Sequence, residues 1–251
     1  MAARKPTVHT AKTRRRVRRG NQEDAEQLRQ ALITAAMELF TEGGLDAVTI
    51  RAVATKAGVA TMTPYNYFAG KAELLVGLWE SVLAVVYKSV SRKVQKAAPG
   101  RARHRAWVSN YIEYWEKNPE HYRLVYVSPS TTRDDASSGF TSVPSYAALV
   151  ELGRLATREL ATELGTDLTH MRLAGHVRLM MQLGYLHGML TIRRFPWSES
   201  GILREAYVDQ ICATVERILV NGPSAASDAF EAGAAAATAA SDDALLELDE
   251  G

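Results

Sequence analysis

Residues 61 to 71 read ThrMetThrProTyrAsnTyrPheAlaGlyLys, a run of hydroxyls, a carboxamide, two phenols and an ammonium with no carboxylate among them. Such groups serve to bind anionic oxygens and the edges of bases. Thr61, Thr63 and Asn66 can hydrogen-bond bases or phosphates, and the methyl groups of Met62 and the threonines can meet a thymine methyl. Tyr65 and Tyr67 can reach phosphate oxygens, and Lys71 offers a point charge at the start of a helix. Arg51, upstream, adds a second cation, whereas Phe68 reads as core.

The flanking residues must position this run. Leu32, Ala35, Ala36, Leu39 and Phe40 fall on one stripe of a helix that Gly43 and Gly44 stop, since glycine takes the left-handed conformation that closes a helix. Thr49 is a suitable N-cap for a second helix with Ile50, Val53, Ala54 and Ala57 on its apolar side and Arg51 and Lys56 outside; Gly58 ends it. Pro64 then falls in the first turn of a third helix capped by Thr61 or Thr63, where its missing N–H costs nothing. Two short helices around a glycine-containing turn suit a second helix laid in the DNA major groove.

Charge is distributed unevenly. Arg4, Lys5, Lys12, Arg14, Arg15, Arg16, Arg18 and Arg19 precede the first acid, Glu23, and the segment from Gly222 onward carries seven acids and no base. The basic arm, residues 1–22, is expected to be disordered and to follow phosphates or enter a minor groove, which makes affinity salt-dependent. The alanine-rich acidic tail, residues 222–251, has too few large apolar groups to offset its ordering entropy and also reads as disordered.

Residues 28 to 79, from LeuArgGlnAlaLeuIleThrAlaAlaMetGluLeuPhe through AlaGlyValAlaThrMetThrProTyrAsnTyrPheAlaGlyLysAlaGluLeuLeu, resemble the DNA-binding domain of the TetR (tetracycline-repressor-like) family of bacterial transcriptional regulators. The resemblance implies an all-α dimer in which Tyr65 and Lys71 hold phosphates and residues around Thr61 to Asn66 read bases. It also implies a small-molecule effector in the C-terminal domain that alters DNA affinity. Met62, Pro64 and Tyr67 stand where the family commonly has glycine, leucine and histidine, which bears on the DNA sequence recognised more than on the fold.

The expected organisation is a helix-turn-helix domain over 23–71 and a helical regulatory and dimerisation domain over 72–221. The latter should hold about six helices, with a loop from Ser128 to Ser142. Trp115, Tyr122, Tyr126, Tyr146, Met180, Met181, Tyr185 and His187 could line an apolar ligand cavity, or equally form a helical core. The segment from Leu179 to Ile192, bounded by Arg178 and Arg193, is apolar nearly all round and should be covered on two sides. With Gly184 and Gly188 for close approach and a stripe of Val208, Ile211, Cys212, Val215, Ile218 and Leu219 on the next helix, it is the expected dimer interface, suited to a palindromic operator.

Other classes find little support. The chain has no GxGxxG, P-loop, GxSxG, HExxH or zinc-type cysteine pair, so no catalytic, metal or cofactor site is expected. The lone Cys212 and the lack of an apolar stretch in the N-terminal arm point to the cytoplasm, and the 179–192 segment is too short and polar for a membrane helix. Two alternatives stay open: an all-α ligand-binding or catalytic protein without specific DNA binding, and a nonspecific DNA-binding protein using the basic arm.

Overall fold

The computed structural model describes residues 9–127, 140, 142–191 and 201–222, with side chains described from Glu23 onward and, after the 192–200 interval, from Leu203. Among the described residues the chain is helical, with no β-strand. The helices are α1 (His9–Ala47), α2 (Ile50–Lys56), α3 (Lys71–Val94), α4 (Arg101–Lys117), α5 (Pro119–Tyr122), α6 (Pro144–Leu164), α7 (Met171–Thr191) and α8 (Gly201–Asn221). A 3-10 turn spans Thr63–Asn66 and a π-helical turn spans Arg123–Val127.

The chain divides into two units. The first comprises residues 1–84 with 120–146, the second 85–119 with 147–251, so the segment after α4 groups with the N-terminal residues rather than with the helices of the expected regulatory domain.

In the first unit, Leu32, Ala36, Val48, Val53, Phe68, Leu74 and Leu78 are buried. Helix α1 breaks where glycine was expected to break it: Gly44 has φ +69°, a left-handed conformation open to glycine at little cost. The Thr49 hydroxyl accepts the Ala52 N–H at 3.1 Å and caps α2. Lys56 was expected to face outward, and it does so while pairing with Glu42 and Glu38 of α1. Of the arm expected to be disordered, residues 9–22 have a helical backbone as the start of α1, and residues 1–8 lie outside the described residues. Arginine, lysine and glutamine favour helix, and after Pro6 no proline interrupts them. The side chains of Arg14, Arg15, Arg16, Arg18 and Arg19 lie outside the described residues.

Aromatic packing completes this unit. Trp79 of α3 donates its indole N–H to the Leu124 carbonyl at 3.4 Å, and its ring meets Phe140 edge-on with centroids 5.5 Å apart. Phe140 also contacts Tyr126 and Tyr146, and Tyr122 lies beside Tyr126. The next residue, Glu80, accepts both the backbone N–H and the hydroxyl of Ser145 at 3.0 and 2.7 Å, which satisfies a free donor in the first turn of α6. Adjacent positions of α3 thus hold both flanks of the 128–139 segment; most of the expected 128–142 loop lies outside the described residues.

In the second unit α4, α7 and α8 pack on one another. Trp107, Val108, Tyr111, Ile112 and Trp115 of α4 are buried, as are Leu173, Ala174, Tyr185 and Leu186 of α7. The α8 stripe differs from its expected role. Val208, Ile211 and Val215 are fully buried and Leu219 is 3% exposed within the single chain, so this is the inward face of α8 and not a face for a partner. Cys212 and Ile218 are half-buried. Periodicity identified the stripe correctly but could not say what covers it.

Among the described residues, α3 is the one helix long and apolar enough to cross a membrane by length and composition. Its Leu74, Leu78, Leu83, Val86, Val90 and Val94 are buried in the protein, as in the core helix of a folded domain. The acidic tail beyond Gly222 lies outside the described residues.

Candidate nucleic-acid interface

The residues between α2 and α3 leave the protein by way of Gly58, whose φ of +70° turns the chain away from α2. The expected third helix is shorter than a helix: one 3-10 turn, Thr63–Asn66. Met62 occupies the N-cap position and makes no side-chain bond, so neither Thr61 nor Thr63 caps it. Proline explains part of this, because Pro64 donates no N–H and disfavours helical geometry at Thr63. The turn is held by backbone bonds instead, with Tyr65 N–H to the Met62 carbonyl at 3.2 Å and Phe68 N–H to the Pro64 carbonyl at 2.9 Å.

Two buried residues, Pro64 and Phe68, anchor the turn and decide which side chains face out. The Arg29 guanidinium lies 5.3 Å from the centre of the Phe68 ring. A Cβ at Gly77 would stand 3.2 Å from Phe68 Cε1, so glycine there lets the ring seat against α3. With Phe68 inside, Met62 is 69% exposed and Tyr65 48%, both large side chains with little cover from their own chain. Thr61, Asn66 and Arg51 are also exposed, while Thr63 and Tyr67 are half-buried. One short turn therefore displays a thioether, a phenol, a hydroxyl and a carboxamide, with no acid between Ala57 and Ala72. This combination can donate to phosphate, read base edges and contact a thymine methyl.

Lys71 is placed differently. Its ammonium donates to the Leu45 carbonyl at 2.9 Å and is half-buried, so it ties the start of α3 to the residues that end α1. This bond spans the stretch of chain that contains the exposed turn. Nearby, Glu73 accepts the Ala69 N–H at 2.6 Å and caps the entry to α3.

The expected cavity residues separate. Tyr122, Tyr126 and Tyr146 belong to the aromatic cluster of the first unit; Trp115, Met180, Met181, Tyr185 and His187 belong to the second. Trp115 is fully buried beside Tyr111 and Tyr114. The Tyr185 hydroxyl donates to Glu116 at 2.8 Å, and burial together with that carboxylate pushes the phenol upward from its ordinary range. Met180, 47% exposed, and the exposed His187 face away from the core, which corrects their assignment to a cavity. A helix apolar nearly all round does not reveal its inward side. Met181 is half-buried. Gly184 is exposed and Gly188 half-buried, each with open space where a Cβ would stand.

Sequence reasoning gave no role to Arg178 of α7, which is buried. Its Nη1 donates to the Gly153 carbonyl at 2.9 Å and to the Thr157 hydroxyl at 2.7 Å, and its guanidinium lies 5.6 Å from the Trp107 ring centre. The available signal was an arginine one helical turn before Gln182, which is also buried and directs its amide at the Val108 carbonyl.

Residues 32–78, which contain α2, the exposed turn and the start of α3, match the family model of bacterial regulatory proteins, tetR family. The chain is 26% identical over 121 residues to the HTH-type transcriptional activator FasR of Mycolicibacterium smegmatis, covering 48% of this chain and 55% of that protein. It is 36% identical over 76 residues to the HTH-type transcriptional repressor KstR of the same species, covering 30% of this chain and 35% of KstR. The matches thus span about half of the one relative and a third of the other. In fold, the chain is similar to a transcriptional regulator from Pseudomonas aeruginosa PAO1, with 20% identity, a TM-score of 0.60 and coverage of 78% and 95% of the two chains. It is also similar to FadR from Bacillus subtilis in complex with stearoyl-CoA, with 16% identity, a TM-score of 0.53 and coverage of 78% and 99%. The family match is thus confined to residues 32–78, the segment that includes the exposed turn, and over that segment the chain is similar to bacterial regulatory proteins of the tetR family.

Proposed function

We propose that this protein is a cytoplasmic, ligand-responsive transcriptional regulator, without enzymatic activity, that binds a palindromic operator as a homodimer and is released by a small molecule. The observation that carries this reading is the turn around Pro64, where Met62 and Tyr65 are exposed on a stretch of chain, residues 58–71, that contains no acid, and are anchored from behind by Phe68. The similar proteins include one named as an activator and one named as a repressor, and repression by operator occupancy is the simpler mode.

Thr61, Met62, Thr63 and Asn66 are assigned to bases, and Tyr65, Tyr67, Arg51 and the arm arginines to phosphates. Dimerisation is assigned to the outward face of α7, where Met180, Gly184 and His187 are exposed and glycine permits close helix approach. Because α3 runs unbroken from Lys71 to Val94, an effector that favours one placement of this helix would alter the spacing of two reading turns, by no more than its differential affinity for the two forms.

Selection of bound sequences from random duplex DNA by the full-length protein at near-physiological salt tests the reading. Recovery of a palindrome is the expected result. Binding without an enriched sequence would favour a nonspecific DNA-binding protein, and no binding by folded protein would favour a helical protein whose function lies in its second unit.

A further inference from the structure

The interior of the second unit holds a positive charge, Arg178, with no acid beside it among the described residues. Arg178 has two described hydrogen bonds, both from Nη1 and both to neutral oxygens, and among the described residues no carboxylate pairs with it. Its Nε–H is buried without a partner, as are the indole N–H of Trp107 and Nε2 of His104. His104 and Trp107 lie one turn apart on α4, are 1% and 4% exposed, and share the side of that helix that meets Arg178. The chain has made room for the charge. A Cβ at Gly153 would fall 2.7 Å from Arg178 Nη2 and 3.0 Å from the Trp107 ring, so glycine is what lets the guanidinium occupy this place.

A buried, unpaired cation beside unfilled donors is costly, and it is retained where something else supplies the negative charge. We propose that Arg178, Trp107 and His104 form a buried receptor for a monovalent carboxylate, with Arg178 as the charge partner and the Trp107 indole and His104 as neutral hydrogen-bonding groups. Burial lowers the guanidinium to about 10, still protonated at neutral pH, while burial and the Arg178 charge lower His104 to about 3, so the imidazole is neutral. The cluster therefore carries one positive charge, which suits a carboxylate better than a phosphate dianion. Tyr111, whose ring centre lies 5.3 Å from that of Trp107, adds an aromatic surface beside the cluster and suits a ligand whose remainder is hydrocarbon. The inference names the effector class of the proposed regulator and rests on that reading only for its consequence on DNA; the carboxylate itself is assayed without DNA.

The test is thermal unfolding of the full-length protein with acetate, decanoate or decanol, together with Arg178→Met and Thr157→Val. Decanoate is expected to raise the Tm of the wild type by at least about 2 °C, with no rise from decanol. A rise with acetate as well would assign the site to the carboxylate alone; a rise with decanoate only would add the hydrocarbon chain to what is recognised. Arg178→Met should be folded, at least as stable as the free wild type, and unresponsive. Thr157→Val, which removes one neutral acceptor of Arg178 and leaves the charge, should keep the response. Equal shifts with decanoate and decanol, an equal shift in Arg178→Met, or no shift in the wild type would each overturn the proposal. If Arg178→Met fails to fold, abolition of the decanoate response in folded Trp107→Phe supports the site and a full response overturns it. Operator selection, run separately, reports on the regulator reading whatever the outcome here.

Discussion

The Lys71 ammonium sits 2.9 Å from the Leu45 carbonyl and joins the first residue of α3 to the end of α1 across 26 positions of sequence. The exposed turn Thr63–Asn66 lies between these two points, so this bond helps set how the turn is held. Removing it should cost about 1.5 kcal/mol, the usual range for a hydrogen bond from a charged group. Lys71→Met is therefore expected to lower stability in urea and to weaken specific and random DNA alike; full stability with reduced DNA binding would instead make Lys71 a direct phosphate contact.

Tyr65 and its neighbours should separate affinity from sequence preference. Tyr65→Phe, which removes only the hydroxyl, should weaken binding to all duplexes by about tenfold. Asn66→Ala or Met62→Ala should shift the preferred sequence, with about 1–3 kcal/mol of discrimination lost at one position. Parallel binding isotherms on operator and scrambled DNA distinguish the two effects.

The cap on α2 provides a stability test remote from any base contact. Thr49→Ala removes the hydroxyl that accepts the Ala52 N–H and should cost about 1 kcal/mol, whereas Thr49→Ser should cost little. Urea unfolding midpoints at constant m-value measure both.

Gly153→Ala should be more damaging than an ordinary surface change. The added methyl group meets Arg178 Nη2 at 2.7 Å and Trp107 at 3.0 Å, and overpacking of this kind costs about 1–3 kcal/mol. Gly153→Ala combined with Arg178→Met should recover part of that loss, and a double-mutant cycle by thermal unfolding measures it.

Acid should destabilise the protein in two windows. His104 is lowered from 6.5 to about 3 in the folded state, so between these values the unfolded chain takes up a proton that the folded chain does not, and stability falls as pH falls. Glu113 is lowered from 4.5 to about 2 by hydrogen bonds from Lys117 and Lys93, so its contribution is present above 4.5 and is lost on the way down to 2. Its partners are well exposed, which limits that contribution to about 1 kcal/mol. His104→Gln should reduce the slope of stability with pH between 6.5 and 4.5 by up to about 1.4 kcal/mol per unit, while Glu113→Gln should alter only the lower window. Unfolding free energies at half-unit pH steps resolve the two.

What the sequence by itself determined was local. Thr49 as a cap and Gly44 and Gly58 as helix ends are all seen in the structure, because each depends on backbone geometry within a few residues. The display of Met62, Tyr65 and Asn66 was legible for the same reason: a short polar run free of acids, followed by one aromatic fit for burial, has a single outward side. Tertiary structure decided the partners. Lys71 reaches Leu45, Val208 and Val215 turn inward, Met180 and His187 turn out, and Arg178 is enclosed against Gly153 and Trp107. A period of 3.6 residues says which side chains share a face, but what covers that face depends on helices distant in sequence, and a buried cation is recognisable only once they have closed around it.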